Sequence, residues 1–241
     1  MRLDAALVAR GLTPTRARAQ AAIGEGSVTV DGATATRPAQ CVAAGAIIAV
    51  APGASYVSRG GRKLEAAIEA FGIDATGAVA IDLGASTGGF TDVLLRRGAA
   101  RVYAIDVGRG QFDATLRADA RVIAHEGTHG RDVDATLVSE PVDLVVCDVS
   151  FISLTKALGP SLGLARGGAR AAALVKPQFE LGRDKIGKGG IVRASAADYA
   201  RLRADIEAWF AAQGWSAGGW IESPIAGGDG NREFLIGAIK R

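Results

Sequence analysis

The 241-residue sequence has few of the features that mark the more specialised classes of protein. Its two cysteines, Cys41 and Cys147, fall far short of a disulfide framework or a zinc site, so no metal is expected and each is predicted to be a small buried residue. The 33 glycines follow no G-x-y period, which excludes a collagen-like chain. With 49% apolar and 22% charged residues, the composition is typical of a folded protein.

The sequence also lacks a long apolar run. The most extended one, from Val42 to Ala54, is interrupted by glycines and by Pro52, and it is shorter than the roughly 20 residues that a membrane-spanning helix needs. The N-terminus, Met1 to Asp4, begins no apolar signal core. We therefore expect a cytoplasmic protein with no stable membrane association.

Charged and aromatic residues are distributed unevenly along the chain. Residues 1–63 hold eight basic and three acidic side chains, a balance of +5, whereas the remainder holds 20 basic and 22 acidic ones, a balance of −2. No aromatic residue precedes Tyr56. These differences predict a small basic module at 1–53, a basic linker at 54–63 and a larger, enzyme-like domain at 64–241.

The N-terminal module has the pattern of a small α+β domain. Leu3 and Leu7 recur at helical spacing, and a second helix is predicted to begin near Pro14. The stretch 27–32 alternates apolar and polar residues into an Asp-Gly turn, which indicates a hairpin, and a last strand follows at 47–50. Arginines without aromatic residues favour contacts to RNA phosphates and RNA shape over base stacking. A solvated basic helix is the alternative.

Short apolar runs alternate with helical patterns in the larger domain. The predicted strands are 79–81, 101–105, 122–123, 142–147, 171–175, 219–221 and 234–239, and the predicted helices are 64–71, 91–97, 154–165 and 198–213. This alternation predicts an α/β fold, a Rossmann-like domain whose seven-stranded sheet is mainly parallel and covered on both faces. Ligands of such sheets gather at the carboxyl ends of the strands.

The stretch Asp82 to Phe90 follows the first of these strands and is rich in glycine, which permits a tight strand-to-helix turn. Ser86 stands where a dinucleotide-binding motif has its second glycine, and no phosphate-binding lysine is present. Asp106 ends the next strand, where an acid accepts hydrogen bonds from a ribose diol. These features suit adenosine without a polyphosphate, as in S-adenosylmethionine. The predicted cofactor site comprises Asp82, Gly84, Ser86, Gly88, Gly89, Phe90, Asp106 and Asp148.

Several motifs together resemble one protein family. They are found at 82–91, 147–154, 175–180 and 223–235. In this order, with the N-terminal module and the linker from Tyr56 to Gly61, they are similar to the TlyA-type ribosomal RNA 2′-O-methyltransferases, which have an FtsJ-like catalytic domain and are often labelled haemolysins. The N-terminal module by itself resembles the small RNA-binding domain shared by a ribosomal small-subunit protein and pseudouridine synthases, on the pieces Arg2-Leu3-Asp4, Arg16, Ala19, Ile23 to Gly32 and Gly45. The TlyA-type resemblance implies methylation of a cytidine ribose in ribosomal RNA or ribosomal subunits. The match loosens at His129, where the family usually has Asn.

The resemblance also implies a catalytic set, which consists of Lys63, Asp148, Lys176 and Glu233. A ribose hydroxyl is a poor nucleophile, and a lysine can remove its proton or stabilise the charge that develops on its oxygen. The chain has 22 arginines and six lysines, yet both basic positions of this set are lysine. Because arginine cannot act as a base, that choice is chemically meaningful. An ordinary ion pair between Lys176 and Asp148 at the strand ends is the alternative.

Basic residues outside this set are candidates for contact with RNA. They are Arg2, Arg16, Arg18, Arg59, Arg62, Lys185 and Lys188. The last two lie in the segment 182–190, which is either a mobile loop that closes over RNA or a solvated charged loop. Two other functions compete with methyl transfer. One is a non-catalytic RNA-binding or ribosome-assembly factor, and the other is a membrane-active haemolysin, for which we find no basic amphipathic helix.

Overall fold

A computed structural model describes residues 1–24, 26–51, 56–227 and 230–241, which form two compact units, Met1–Arg62 and Lys63–Arg241. The predicted boundary between 53 and 54, and the start of the predicted linker, lie outside the described residues. The expectation that a helix begins at residue 64 is wrong, because it begins at Gly60. Gly61 is needed there for packing, since a Cβ on it would lie 2.7 Å from the Tyr56 ring.

The first unit is the predicted α+β module. It contains α1 (Leu3–Ala9), α2 (Arg16–Gly24), β1 (Val28–Val30), β2 (Ala33–Thr34) and β3 (Ile48–Val50), with the strands antiparallel in the order β2-β1-β3. Asp31 and Gly32 turn the predicted hairpin with φ angles of 50° and 82°. The prediction that both cysteines are buried is wrong for Cys41, which is exposed where its backbone pairs with Arg2. Cys147 is buried.

The second unit is the predicted α/β domain. Its strands are β4 (Val79–Leu83), β5 (Arg101–Asp106), β6 (Val122–Glu126), β7 (Val142–Cys147), β8 (Ala165–Val175), β9 (Trp215–Glu222) and β10 (Phe234–Lys240). Its helices are α3 (Gly60–Phe71, which starts in the first unit), α4 (Gly89–Arg96), α5 (Ala114–Arg117), α6 (Leu154–Ala157), α7 (Gly159–Gly163), α8 (Pro177–Glu180) and α9 (Ala196–Ala212), with 3₁₀ turns at Gly130–Asp132, Arg183–Lys185 and Lys188–Gly190.

The seven strands form one sheet in the order β6-β5-β4-β7-β8-β10-β9. The first five strands in this order are parallel, and β10 lies antiparallel to both of its neighbours. The mainly parallel seven-stranded sheet is therefore confirmed. Strands β4, β5 and β7 and the second half of β8 are almost entirely buried, which is why they read as continuous apolar runs, whereas the edge strand β6 is half-buried.

One predicted helix is wrong in its extent. The segment 154–165 holds two short helices, α6 and α7, and its last residue, Ala165, already belongs to β8. Pro160 lies in the first turn of α7, where its missing N–H is tolerated, although the same residue would break a continuous helix. The four-residue helices α5 and α8 were not predicted, because so short a segment shows no helical period.

None of the helices in the described ranges has both the length and the apolar content that crossing a bilayer requires.

The packing of helix α3 against the sheet depends on two glycines that lie opposite each other. Gly219 of β9 and Gly237 of β10 lie directly opposite each other. The ring of Phe71, the last residue of α3, occupies the space of both missing side chains, and a Cβ on Gly237 would lie 2.6 Å from it. Because α3 also carries Lys63, this contact helps to set the position of that lysine.

We therefore predict that Gly237→Ala lowers the free energy of unfolding by about 1–3 kcal/mol, since overpacking against a ring costs that much. Chemical denaturation would measure it. Gly218→Ala is the matched control, because a Cβ on Gly218 meets nothing within 4 Å, and it should change stability by only about 0.5 kcal/mol. Equal effects of the two variants on stability would show that the Phe71 ring does not pack closely against Gly237.

Candidate functional site

A cavity of about 560 Å³ opens at the carboxyl ends of β4, β5 and β7. Both apolar side chains, such as Ile105 and Val149, and polar ones, such as Gln111, line it. Four residues of the predicted cofactor site are among its lining: Gly84, Ser86, Asp106 and Asp148. The structure therefore brings these four together where the sheet topology places ligands.

The turn after β4 passes very close to the end of β7. Gly84 has a φ of 83°, and a Cβ on it would lie 2.5 Å from the carbonyl oxygen of Asp148. A side chain at this position would therefore be strained and would also collide with the neighbouring backbone. Glycine is needed here so that the first turn and the Asp148 segment can form one wall.

Asp106 ties two loops of the cavity together. Its Oδ2 accepts a hydrogen bond from the backbone N–H of Ser86 at 2.8 Å, and its Oδ1 accepts from the N–H of Gly108 at 2.6 Å and from Gln111 at 3.0 Å. A carboxylate has about four lone-pair positions, so these bonds leave capacity for a further donor. The carboxylate is thus held in a fixed place at the cavity wall.

The other four residues of the predicted cofactor site, Asp82, Gly88, Gly89 and Phe90, are not part of the cavity lining. Asp82 is completely buried and accepts a hydrogen bond from Thr91 Oγ1 at 2.6 Å. Phe90 is buried, and Gly89 begins α4. Gly88, at a φ of 100°, makes room for the Leu116 side chain. These four residues lie on either side of the turn or within it and support its backbone by packing.

Burial raises the pKa of Asp82 to about 7, and the negative charges of Asp148 and Asp106 add to the effect while the Thr91 hydrogen bond opposes it. Among the described residues, no donor reaches its Oδ1. Asp82 therefore takes up its proton far more readily than an exposed aspartate does.

The predicted catalytic residues form two lysine–carboxylate pairs. Lys176 Nζ lies 2.6 Å from Asp148 Oδ1 and donates to Ser150 Oγ at 2.7 Å. Lys63 Nζ lies 2.5 Å from Glu233 Oε2, and both of these side chains are buried. In the β8–β10 ladder, Phe234 is opposite Val175, so Glu233 and Lys176, the residues next to them, lie at the same end of the two strands.

The loop after Asp148 adds residues that the sequence did not single out. Phe151 lines the cavity, is 91% exposed and has a φ of 66°, which is unusual for an aromatic residue. Its ring contacts that of Phe179 in α8 at a centroid distance of 5.4 Å. Glu180 accepts hydrogen bonds from Ser153 Oγ and from the N–H of Leu154, at 2.7 and 2.6 Å. Phe151 lies in a motif that sequence analysis noted, but only the structure reveals its exposure.

The predicted RNA contacts differ in their surroundings. In the first unit, Arg2 and Arg16 both bond to Asp4. In the second unit, Lys185 pairs with Asp198 at 3.1 Å. Lys188 is exposed. The remaining candidates are Arg18, Arg59 and Arg62, of which Arg59 is exposed and Arg18 and Arg62 are half-buried.

The segment that contains Lys188 is anchored by a buried amide. Asn231 donates to the carbonyl of Gly190 at 2.9 Å and accepts from the N–H of Val192 at 2.8 Å. It stands two residues before Glu233. The basic segment 182–190 is thereby fastened, at its end, to the chain just before β10, next to Glu233.

Comparisons with known proteins agree with this geometry. The FtsJ-like methyltransferase family matches residues 56–240, and the S4 domain matches residues 1–48. The chain is 44% identical over 239 residues to the 16S/23S rRNA (cytidine-2′-O)-methyltransferase TlyA of Mycobacterium tuberculosis, covering 98% of this chain and 88% of that protein. It is 38% identical over 237 residues to Hemolysin A of Brachyspira hyodysenteriae, covering 98% of each.

Among solved structures, a hemolysin-like protein from Streptococcus thermophilus is similar over the whole of this chain and 88% of its own, with a TM-score of 0.76 and 37% identity. The similarity extends through both units of the chain and is not confined to the sheet domain.

The raised pKa of Asp82 predicts how the stability depends on pH. Between about pH 4 and pH 7 the unfolded chain has lost this proton while the folded chain keeps it, so the free energy of unfolding should fall as the pH rises, by up to about 1.4 kcal/mol per pH unit. Asp82→Asn should remove this contribution. Denaturation of both proteins across this range measures the difference.

Asp74→Asn is the control, because Asp74 is exposed and its pKa is lowered by the backbone N–H of Thr76. That variant should keep the decline that Asp82 causes. A constant difference in stability between the original protein and Asp82→Asn, from pH 4 to pH 7, would show that Asp82 titrates normally.

Proposed function

Because this chain belongs to the FtsJ-like methyltransferase family, we propose that it transfers a methyl group from S-adenosylmethionine to the ribose 2′-hydroxyl of a cytidine in ribosomal RNA. The relative from Mycobacterium tuberculosis is named as a 16S/23S rRNA (cytidine-2′-O)-methyltransferase. The observation that carries the proposal is the two lysine–carboxylate contacts, Lys176 with the cavity-lining Asp148 and Lys63 with Glu233. A ribosomal substrate implies that the protein works in the cytoplasm.

The cavity has the donors and acceptors that this cofactor needs. Asp106 would accept hydrogen bonds from the ribose hydroxyls of the adenosine, and the apolar side chains of Ile105 and Val107 would cover the base. Gly84 leaves the cavity wall without a side chain next to Asp148, whose carboxylate would lie near the sulfonium. The bound cofactor supplies an electrophilic methyl group.

In the transfer, a sulfur–carbon bond breaks, an oxygen–carbon bond forms, and the proton of the 2′-hydroxyl must leave. Lys176 would receive this proton in its neutral form, or stabilise the developing charge on the oxygen as an ammonium group. Asp148 and Ser150 hold its Nζ at 2.6 and 2.7 Å, so little reorganisation is needed during the reaction. The received proton can pass to solvent after the product leaves.

The pair of Lys63 and Glu233 would orient the ribose beside Lys176. Both side chains are buried, so each needs the other, because an unpaired charge in this position would cost about 3–5 kcal/mol. The pair therefore remains in place before RNA binds.

Binding of RNA would depend on both units. The first unit matches the S4 domain and carries Arg2, Arg16 and Arg18. In the second unit, Lys188 is exposed on the segment that Asn231 anchors. Contacts of these cations to phosphates would make the affinity fall steeply as salt is added.

Variants of Lys176 test the catalytic proposal. Lys176→Ala should lower the methylation rate by at least about 100-fold, which is the range expected for a positioned acid–base group. Transfer of labelled methyl groups to ribosomal subunits would measure it, and detection of 2′-O-methylcytidine would identify the product. Lys176→Arg keeps the charge but cannot accept a proton, and should also be inactive if Lys176 is the base.

Lys156→Ala is the matched control, because this exposed lysine lies on α6 away from the cavity lining, and it should retain full activity. If Lys176→Arg is highly active, Lys176 does not act as a base and instead stabilises the developing negative charge. High activity of Lys176→Ala would reduce the Lys176–Asp148 contact to a structural ion pair and remove the centre of the proposed mechanism.

Phe151 offers a surface on which the target base would stack once it leaves the RNA helix. Its ring is 91% exposed at the cavity and is supported from behind by Phe179. Stacking of a base on an aromatic side chain is worth about 1–3 kcal/mol. Phe151→Ala should therefore lower kcat/KM for ribosomal RNA roughly 5- to 150-fold, whereas Phe151→Tyr should retain most of it.

Binding of the demethylated cofactor, measured by calorimetry, separates this effect from damage to the cavity, and should be unchanged in both variants. Equal activity of Phe151→Ala and Phe151→Tyr would show that no base stacks there.

A further inference from the structure

We propose that Asp4 positions Arg2 and Arg16 so that together they bind one phosphate group of the RNA backbone. The inference rests on the proposed RNA substrate and adds a buried residue that the charge pattern alone did not indicate. Asp4 touches no RNA in this proposal, and it acts through the two arginines.

Asp4 is completely buried in the first turn of α1, yet it is a carboxylate surrounded by donors. Arg2 donates to it through Nε and Nη2, at 3.1 and 3.0 Å, and Arg16 through Nη2 at 2.9 Å. Gln20 Nε2 and the backbone N–H of Ala5 complete the set at 2.9 and 2.8 Å. Residues from before α1, from α1 and from α2 thus converge on one side chain.

The hydrogen bonds from Arg2, Gln20 and Arg16 hold the pKa of Asp4 well below its usual range, so the group stays ionised. The cluster then contains two positive charges and one negative charge. Its net charge of one unit is opposite to that of a single backbone phosphate. Neutralising both arginines would have taken a second acid, and no other acidic side chain in the described part of the first unit bonds to either of them.

The two guanidinium groups remain accessible, with 48% of the Arg2 side chain and 57% of the Arg16 side chain exposed. Arg2 gives one of its two bidentate edges, Nε with Nη2, to Asp4, which leaves the edge formed by Nη1 and Nη2. Arg16 uses Nη2 alone, and within the described part of the first unit its other donors make no side-chain bond. A guanidinium whose rotation is already restricted loses less entropy when it binds a phosphate.

The alternative is that Asp4 only joins α1 to α2. Changing Asp4 to Asn separates the two roles, because the variant makes the protein more positive by one charge. Charge alone then predicts unchanged or tighter binding of RNA. If Arg2 and Arg16 are instead no longer held in place, RNA binding should weaken by about tenfold. Its salt dependence should then fall by about one phosphate contact.

Asp31→Asn is the matched control. It removes the same charge from the same unit at an exposed turn, where Asn also tolerates the left-handed conformation and can still accept the hydrogen bond from Ile47. Filter binding of purified ribosomal RNA over a series of salt concentrations would compare the variants of the full chain. We expect weaker binding for Asp4→Asn alone. If it binds as tightly as Asp31→Asn, the proposal is overturned.

Asp4→Asn can also act by unfolding the module, so a double-mutant cycle tests the arginines directly. Arg2→Ala and Arg16→Ala change exposed side chains, and each should weaken binding and lower the salt dependence. In a chain that lacks both arginines, Asp4→Asn should cause no further loss. Full affinity of both single-arginine variants would overturn the proposal whatever Asp4→Asn does.

Methylation of ribosomal RNA by the unmodified chain is measured in parallel. If the unmodified chain methylates RNA while the arginine variants bind it normally, the proposed function stands and this inference fails. If it neither methylates nor binds RNA, the proposed function itself has failed.

Discussion

Two lysine side chains are buried in the larger unit, Lys63 in α3 and Lys176 at the end of β8, and each lies next to a carboxylate. An isolated charge in such a place would cost several kcal/mol, so the partners must be held in register. The antiparallel pairing of β10 with β8 brings Glu233 to the end of β8, and the seat of Phe71 on two glycines holds the helix that carries Lys63.

Close backbone approach is the second constraint, and it explains which glycines matter at the site. Gly84 allows the first turn to approach the carbonyl of Asp148 closely, so the turn and the Asp148 segment form one wall of the cavity. Gly88, in the same motif, makes room for a leucine side chain, so its freedom is used for packing. One glycine-rich motif therefore serves two purposes that spacing alone does not separate.

In both units, carboxylates form ion pairs with basic side chains, which are arginines in the first unit and lysines in the second. Asp4 holds two arginines whose outer edges remain exposed, which suits phosphate groups that need fixed, permanent charges. Asp148 and Glu233 each hold a lysine, whose proton can be exchanged. In the functions proposed above, the arginines would bind RNA and the lysines would take part in changing one of its bonds, which matches this difference between the two side chains.

The fold class, the two-part organisation and the mainly parallel sheet could be predicted from the chain alone, because apolar periodicity is a local property of the sequence. The candidate catalytic residues came from ordered motifs that resemble a known family. The fold was needed to show that Asp82 and Phe90 do not line the cavity, that Lys185 is paired with Asp198, and that Phe151 is exposed. These facts depend on which strand ends and loops meet. Contacts between residues far apart in the chain leave no periodic signal in its sequence.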